Sequence, residues 1–208
     1  TKYYPDLENS LVKSRYAILH QRYSTNTMPE WKLAHPFRFI AHNGEINTLK
    51  GNVNKMIARE ETLKSPVFGD DLNKVFPVIM PNGSDSASFD NCLELLILSG
   101  RSPEEAMMMM VPEAFGKKIN MSEDRRAFYE YYSSVMEPWD GPAALIATDG
   151  KTICATLDRN GLRPSRYVIT NDGYIVAGSE IGIVDFDPSK TKHLGRLLPG
   201  KMLTVDLG

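Results

Sequence analysis

The chain is 208 residues long, 42% hydrophobic and 24% charged, which excludes disorder as its dominant state and suffices to bury one substantial core. Its 24 Lys and Arg against 26 Asp and Glu leave a net charge of −2, so no basic surplus points to nucleic acid and no charge block to a membrane surface. Two cysteines are too few for a disulfide scaffold, and the apolar runs, such as 95–98 and 143–147, are far too short to span a bilayer.

A reducing, cytoplasmic compartment is therefore the expectation. The opening TKYYPDLENS has neither an apolar signal stretch nor an initiator Met, as expected of a processed chain or a piece of a longer one. Two strands are predicted at 15–20 and 37–41, separated by a polar loop that contains Pro29 and Pro36. After His42-Asn43-Gly44 the period changes. Ile46, Leu49, Val53, Met56 and Ile57 recur at helical spacing, so 46–62 reads as an amphipathic helix with Asn47 as N-cap. Residues 63–84 are loop-rich. A helix follows at 88–99, with Phe89, Cys92, Leu93, Leu96 and Ile97 as its buried stripe and Gly100 as its stop.

Ser102-Pro103-Glu104-Glu105 is a capping box that opens a helix through Met107–Met110, ending before Pro112. Four successive methionines sweep about 300° around a helix. That helix is either buried on two sides or covered by something outside the chain. Residues 123–135 read as another helix. From Gly141 the pattern turns to β, with hairpins around Asp149-Gly150 and Asp172-Gly173 and a last strand at 201–207. The order of elements predicts an α+β fold with antiparallel sheet, as a single domain over 1–208.

Three loops concentrate polar groups: 20–27, 42–45 and 83–86. Each residue also has a structural reading. Arg22 could pair with a surface carboxylate, Asn43-Gly44 could be a turn, and Asp85 has the composition of an N-cap. Cys92 on an apolar helix face and Cys154 in mid-strand read as packing residues, since a reactive thiol needs exposure and an electropositive neighbour. His20 and His42 lack a partner at metal spacing and read as hydrogen-bonding residues.

Taken together, HQRYSTNT, AHNGEINTLKGN and GSDSASFDN closely resemble the glutamine amidotransferase domain of glutamate synthases, a class II amidotransferase. The likeness continues through YYPDLENS, PEWKLAHPFR, LELLILSGRSPEEAMMMMVPEAF, EPWDGPAAL, DRNGLRPSRY and AGSEIGIVDF, essentially the whole chain. It implies the four-layer αββα sandwich of the N-terminal-nucleophile hydrolases, here only its C-terminal portion. It implies that Arg22 binds the α-carboxylate of L-glutamine, that Asp85 binds the α-ammonium, and that the Asn43 amide and Gly44 N–H form the oxyanion hole. Thr25 and Asn26 become secondary pocket contacts.

The family's nucleophile is an N-terminal cysteine whose own α-amino group is the base. This chain begins with Thr1 inside what resembles an internal stretch of the family domain, so the nucleophile is expected upstream, and the fragment alone is expected to be inactive. The resemblance further implies a parent that passes ammonia to synthase domains carrying FMN and an iron–sulfur cluster, which aminate 2-oxoglutarate. An electron-donating small subunit or ferredoxin would be a partner. No cofactor or metal is expected in this chain itself, and neither nucleic acid nor membrane is an expected partner. Two rival readings are a non-catalytic amino-acid-binding or interaction module using the same Arg22/Asp85 pocket, and another class II amidotransferase.

Overall fold

In chain order, the computed structural model, which describes residues 3–208, has β1 (Ile40–Gly44), α1 (Leu49–Glu60), α2 (Asp85–Leu98), α3 (Pro103–Met110), α4 (Glu123–Ser133), β2 (Ala143–Thr148), β3 (Thr152–Leu157), β4 (Arg166–Thr170), β5 (Ile175–Gly178), β6 (Thr191–Arg196) and β7 (Met202–Asp206), besides short 3₁₀ turns. One sheet has the order β1-β2-β3-β7 and a second the order β5-β4-β6, all neighbours antiparallel. The α+β class predicted from the pattern stands. Both predicted hairpins form, β2–β3 and β4–β5. The reading of Thr1 lies outside the described residues.

The strand expected at 15–20 does not form. A strand exists through its ladder, and these residues run as irregular chain that pairs with no strand among the described residues. The strand expected at 37–41 lies three residues further on. The reason is Asp90 of α2, whose carboxylate accepts the N–H groups of Arg38, Phe39 and Ile40 at 3.3, 2.9 and 3.0 Å. Pairing with β2 therefore starts at Ile40↔Ala147 and runs to Gly44↔Ala143.

Helix α1 begins at Leu49 rather than Ile46, with Thr48 and not Asn47 as N-cap. The Asn47 and Thr48 N–H groups instead bond the Asp140 carbonyl, at 2.7 and 3.3 Å, which holds the chain out of the helix for one more turn. Helix α2 starts earlier than predicted because Ser84 caps it, its Oγ accepting the Ala87 N–H at 3.0 Å. Half of the capping box at α3 forms: the Glu105 N–H donates to Ser102 Oγ at 3.2 Å, whereas the Glu105 carboxylate accepts the Tyr132 hydroxyl and does not reach back to the cap. Strand β6 escaped the sequence reading. Its residues TKHLGR show no apolar alternation, and it is an exposed edge strand.

One face of the larger sheet (Ile40, Ala143, Leu145, Ala147, Cys154) packs on Met56 of α1, on Phe89, Cys92, Leu93 and Leu96 of α2, and on Met107 and Met110 of α3. Met107, Met109 and Met110 are buried and Met108 is half-buried, because α3 lies among α2, α4 and β3. The methionine run is thus buried on two sides. Ala155 and Leu157, on the other face, form a smaller cluster with Leu197. No helix among the described residues is long and apolar enough to cross a membrane.

Asp90 ties α2 to the start of β1, so its loss has a defined cost. Asp90→Ala leaves three backbone donors without their acceptor and should lower stability by about 2–4 kcal/mol in denaturant titrations. Burial outweighs the three N–H bonds and pushes the carboxyl up to about 6. The folded state then holds this proton more tightly than the unfolded chain, whose carboxyl titrates at its ordinary value of 3.8. Asp90's contribution should therefore fall as pH rises from about 4 to about 6 and level off above. Asp90→Asn should flatten that slope; a slope unchanged in this variant would show that another group carries it.

Candidate functional site

Helix α2 presents three side chains to the chain running through β1. Asp90 holds its start, Ser86 holds its middle through His42, and Asp85 holds Ile46, two residues beyond its end. The Ser86 Oγ lies 2.8 Å from His42 Nδ1, and Asp85 Oδ2 accepts the Ile46 N–H at 2.8 Å. Residues four apart lie on one helix face, which is why Ser86 and Asp90 reach the same strand. The N-cap reading of Asp85 fails: Ser84 is the cap, and Asp85, buried at the first helical position, is left to bond across to Ile46.

Asn43 and Gly44 are not a turn. They are the last two residues of β1, opposite Ala144 and Ala143. The Thr148 N–H donates to the Phe39 carbonyl and the Glu45 N–H to the Pro142 carbonyl, both at 2.9 Å. Antiparallel alternation therefore pairs the odd-numbered residues of β1 with β2 and directs the N–H groups of His42 and Gly44 away from it. Strand β1 is an edge, so the Gly44 N–H is a backbone donor at an open rim. The Asn43 side chain is exposed beside it and makes no hydrogen bond among the described residues.

Only glycine fits at 44. A Cβ there would lie 1.8 Å from the Pro142 carbonyl oxygen and 2.8 Å from His42 Nε2. Gly141 faces the same constraint, with a Cβ 1.9 Å from the Glu45 carbonyl oxygen. The two backbones meet too closely for side chains.

The 20–27 loop is bolted to this place at two points. Ser84 Oγ donates to Ser24 Oγ at 2.8 Å, beside Asp85, and the Asn26 amide donates to the Glu45 carboxylate at 2.9 Å, beside Gly44. The three polar loops thus converge. Asn26 adopts a left-handed backbone with φ of 60°. Thr25 is exposed. Arg22 is exposed too, and its guanidinium makes neither ion pair nor hydrogen bond among the described residues; its backbone N–H bonds His20 Nδ1 at 3.1 Å. The surface-pair reading of Arg22 thus finds no carboxylate partner. The cluster brings Asp85, Asn43, Gly44 and Asn26 together, while Arg22 and Thr25 are exposed on the adjoining 20–27 loop.

Burial holds both inner histidines neutral. His42 falls to about 4, with Asp85 opposing the shift and His20 and Arg163 adding to it. His35 falls to about 3 through burial and the neighbouring His20 and His42 rings. Cys92 and Cys154 are buried, and desolvation pushes each thiol up to about 12, so neither is a nucleophile near neutral pH. No group of three or more His, Cys, Asp or Glu among the described residues could hold a metal.

Chemically the arrangement offers one buried carboxylate, two uncommitted donors at a strand end and, on the adjoining loop, an exposed guanidinium without a partner among the described residues. Such a set can hold an ammonium and a carboxylate while a carbonyl oxygen sits on the donors. Sequence reasoning missed Ser84, Ser86 and Asp90 as the residues that hold this geometry. The run Ser84-Asp85-Ser86 was a signal. Nothing in the sequence indicated that Asp90 would cap a distant strand.

A family model described as class II glutamine amidotransferases matches residues 1–208. The large chain of the NADPH glutamate synthase of Bacillus subtilis is 51% identical over 205 residues, covering 99% of this chain and 14% of that protein. The ferredoxin-dependent glutamate synthase of Pyropia yezoensis is 53% identical over 208 residues, with 99% and 14% coverage. Among solved structures, the glutamine phosphoribosylpyrophosphate amidotransferase of B. subtilis is 21% identical with a TM-score of 0.40, covering 81% of this chain and 27% of that one. The chain spans 14% of the length of these curated synthase relatives. With the family model matched from end to end, this chain belongs to the class II glutamine amidotransferases.

Proposed function

We propose that this domain forms the glutamine-binding and oxyanion-stabilising part of the glutaminase site of a glutamate synthase. Arg22 takes the α-carboxylate of L-glutamine in a charge-assisted fork, and Asp85 takes the α-ammonium. Thr25 and Asn26 line the pocket between them. A cysteine thiolate supplied from outside the described residues attacks the side-chain amide carbon. The resulting oxyanion lies on the Asn43 amide and the Gly44 N–H. Protonation of the amide nitrogen and collapse of the intermediate release ammonia and leave a thioester, which water hydrolyses to glutamate.

The observation that carries this reading is the open Gly44 N–H beside the uncommitted Asn43 amide, with the buried Asp85 carboxylate across from the same strand end. A module that only bound an amino acid would need Arg22 and Asp85 but no bare donor pair. Identity above 50% to glutamate synthases favours that parent over other class II enzymes. The ammonia then passes to synthase domains for amination of 2-oxoglutarate, with ferredoxin or a nicotinamide-dependent subunit supplying electrons. Two buried cysteines on separate elements do not furnish the thiolates of an iron–sulfur cluster, so no step here runs through the cluster. Two free thiols suit a reducing compartment such as the cytoplasm.

The test uses a glutamine-shaped electrophile on the complete enzyme, followed by peptide mapping. Modification should fall on a cysteine outside the described residues and abolish glutamine-driven glutamate synthesis, while synthesis from free ammonia continues. Modification at Cys92 or Cys154 would overturn the reading.

A further inference from the structure

His42 is 2% exposed and lies between the two halves of the site. Its Nδ1 is 2.8 Å from Ser86 Oγ, and that hydroxyl donates to Asp85 Oδ1 at 3.3 Å. The other carboxylate oxygen takes the Ile46 N–H. Proton bookkeeping assigns the ring tautomer. A carboxylate only accepts, so the single Ser86 hydroxyl proton goes to Asp85. The Ser86 oxygen must then accept, and Nδ1 must carry the ring's proton. Nε2 is left as a bare lone pair, buried and without a partner among the described residues.

Nε2 lies beside Gly44, so close that a Cβ on Gly44 would be 2.8 Å from the nitrogen. The charged and titratable groups around the ring are Asp85, His20, Arg163 and His35. Burial keeps the ring neutral against Asp85. A cationic ring would aim a second N–H at Gly44 with no acceptor to meet it.

We infer that His42 is a positioning residue: through Ser86 it orients the Asp85 carboxylate, and through its contact with Gly44 it sets the oxyanion backbone, so that the two are held at one spacing. The inference rests on the glutaminase reading above, in which Asp85 binds the ammonium and Gly44 the oxyanion. A rigid spacing between these points matches one length of substrate. Glutamine has two methylenes between α-carbon and amide and asparagine one, so a spacing set for glutamine leaves the asparagine amide short of the donors. His42 therefore contributes to chain-length discrimination as well as to rate, since misplacement of the reacting carbonyl by about 1 Å costs on the order of 10²-fold.

The experiment measures kcat and KM for glutamine and asparagine, with the unfolding midpoint, in the complete enzyme. Ser86→Ala and His42→Ala should each lower kcat for glutamine roughly 10- to 100-fold and narrow the preference over asparagine. His42→Asn, whose amide N–H can replace Nδ1–H toward Ser86, should recover much of the kcat lost in His42→Ala. If Ser86→Ala does not fold, the comparison of His42→Asn with His42→Ala carries the same test. An unchanged kcat per folded molecule in the alanine variants would overturn the inference. So would losses that track the unfolding midpoint and are not recovered by His42→Asn. Arg22→Ala separates the two levels of argument: a raised KM there with intact kcat in Ser86→Ala removes only His42's role, whereas an unchanged KM removes the glutaminase reading itself.

Discussion

Asn43→Ala in the complete enzyme should lower kcat for glutamine on the order of 10²-fold and leave KM nearly unchanged. An oxyanion donor gains most of its interaction only once the carbonyl oxygen carries charge. Its removal therefore raises the barrier without much weakening the ground state. The geometry makes this a clean variant. The Asn43 side chain is exposed and makes no hydrogen bond among the described residues, while its backbone keeps its place opposite Ala144. Loss of the amide should thus cost little stability. Measuring kcat, KM and the unfolding midpoint on one preparation decides the matter: a lowered midpoint with normal kcat would assign Asn43 a purely structural role.

Arg22→Ala should raise KM for glutamine by the equivalent of about 2–5 kcal/mol, since it removes a bidentate charged contact and strands the substrate carboxylate in a partly desolvated pocket. Because the guanidinium makes no ion pair or hydrogen bond among the described residues, its loss should leave the unfolding midpoint within about 0.5 kcal/mol of the parent. Synthesis driven by free ammonia should persist, since that reaction lies in other domains. Steady-state assays with each nitrogen source give both numbers. An unchanged KM would remove Arg22 from the site.

The neutral histidines bear on how the strand end is held. With burial lowering His42 to about 4 and His35 to about 3, neither charges in the range where the enzyme would work. Both folded values lie below the ordinary 6.5, so the stability they contribute is present above that value. It is lost as the pH falls from about 6.5 toward about 4 for His42 and about 3 for His35.

Much of this protein is legible in its amino-acid order. Local rules carry the hairpins at Asp149-Gly150 and around Gly173, the N-cap at Ser102 and the stripe of α2. A tight turn, a cap and a helical period each depend on residues close in sequence. The three polar loops and the family they resemble are legible for the same reason, since each motif is contiguous.

What tertiary structure alone decided is where distant groups meet. Asp90 caps residues some fifty positions earlier and moves the start of β1, and Asp140 delays the start of α1. The irregular run at 15–20 has strand composition but no ladder partner among the described residues. Asn43-Gly44 has turn composition, yet pairing with β2 draws it out as strand and leaves one glycine N–H on an open edge. Asp85 could have been a cap, but Ser84 took that position and freed its carboxylate to face β1. The physical reason is common to all these cases. A hydrogen bond satisfies a donor regardless of how far along the chain its acceptor lies, so local preference yields wherever burial supplies a distant partner.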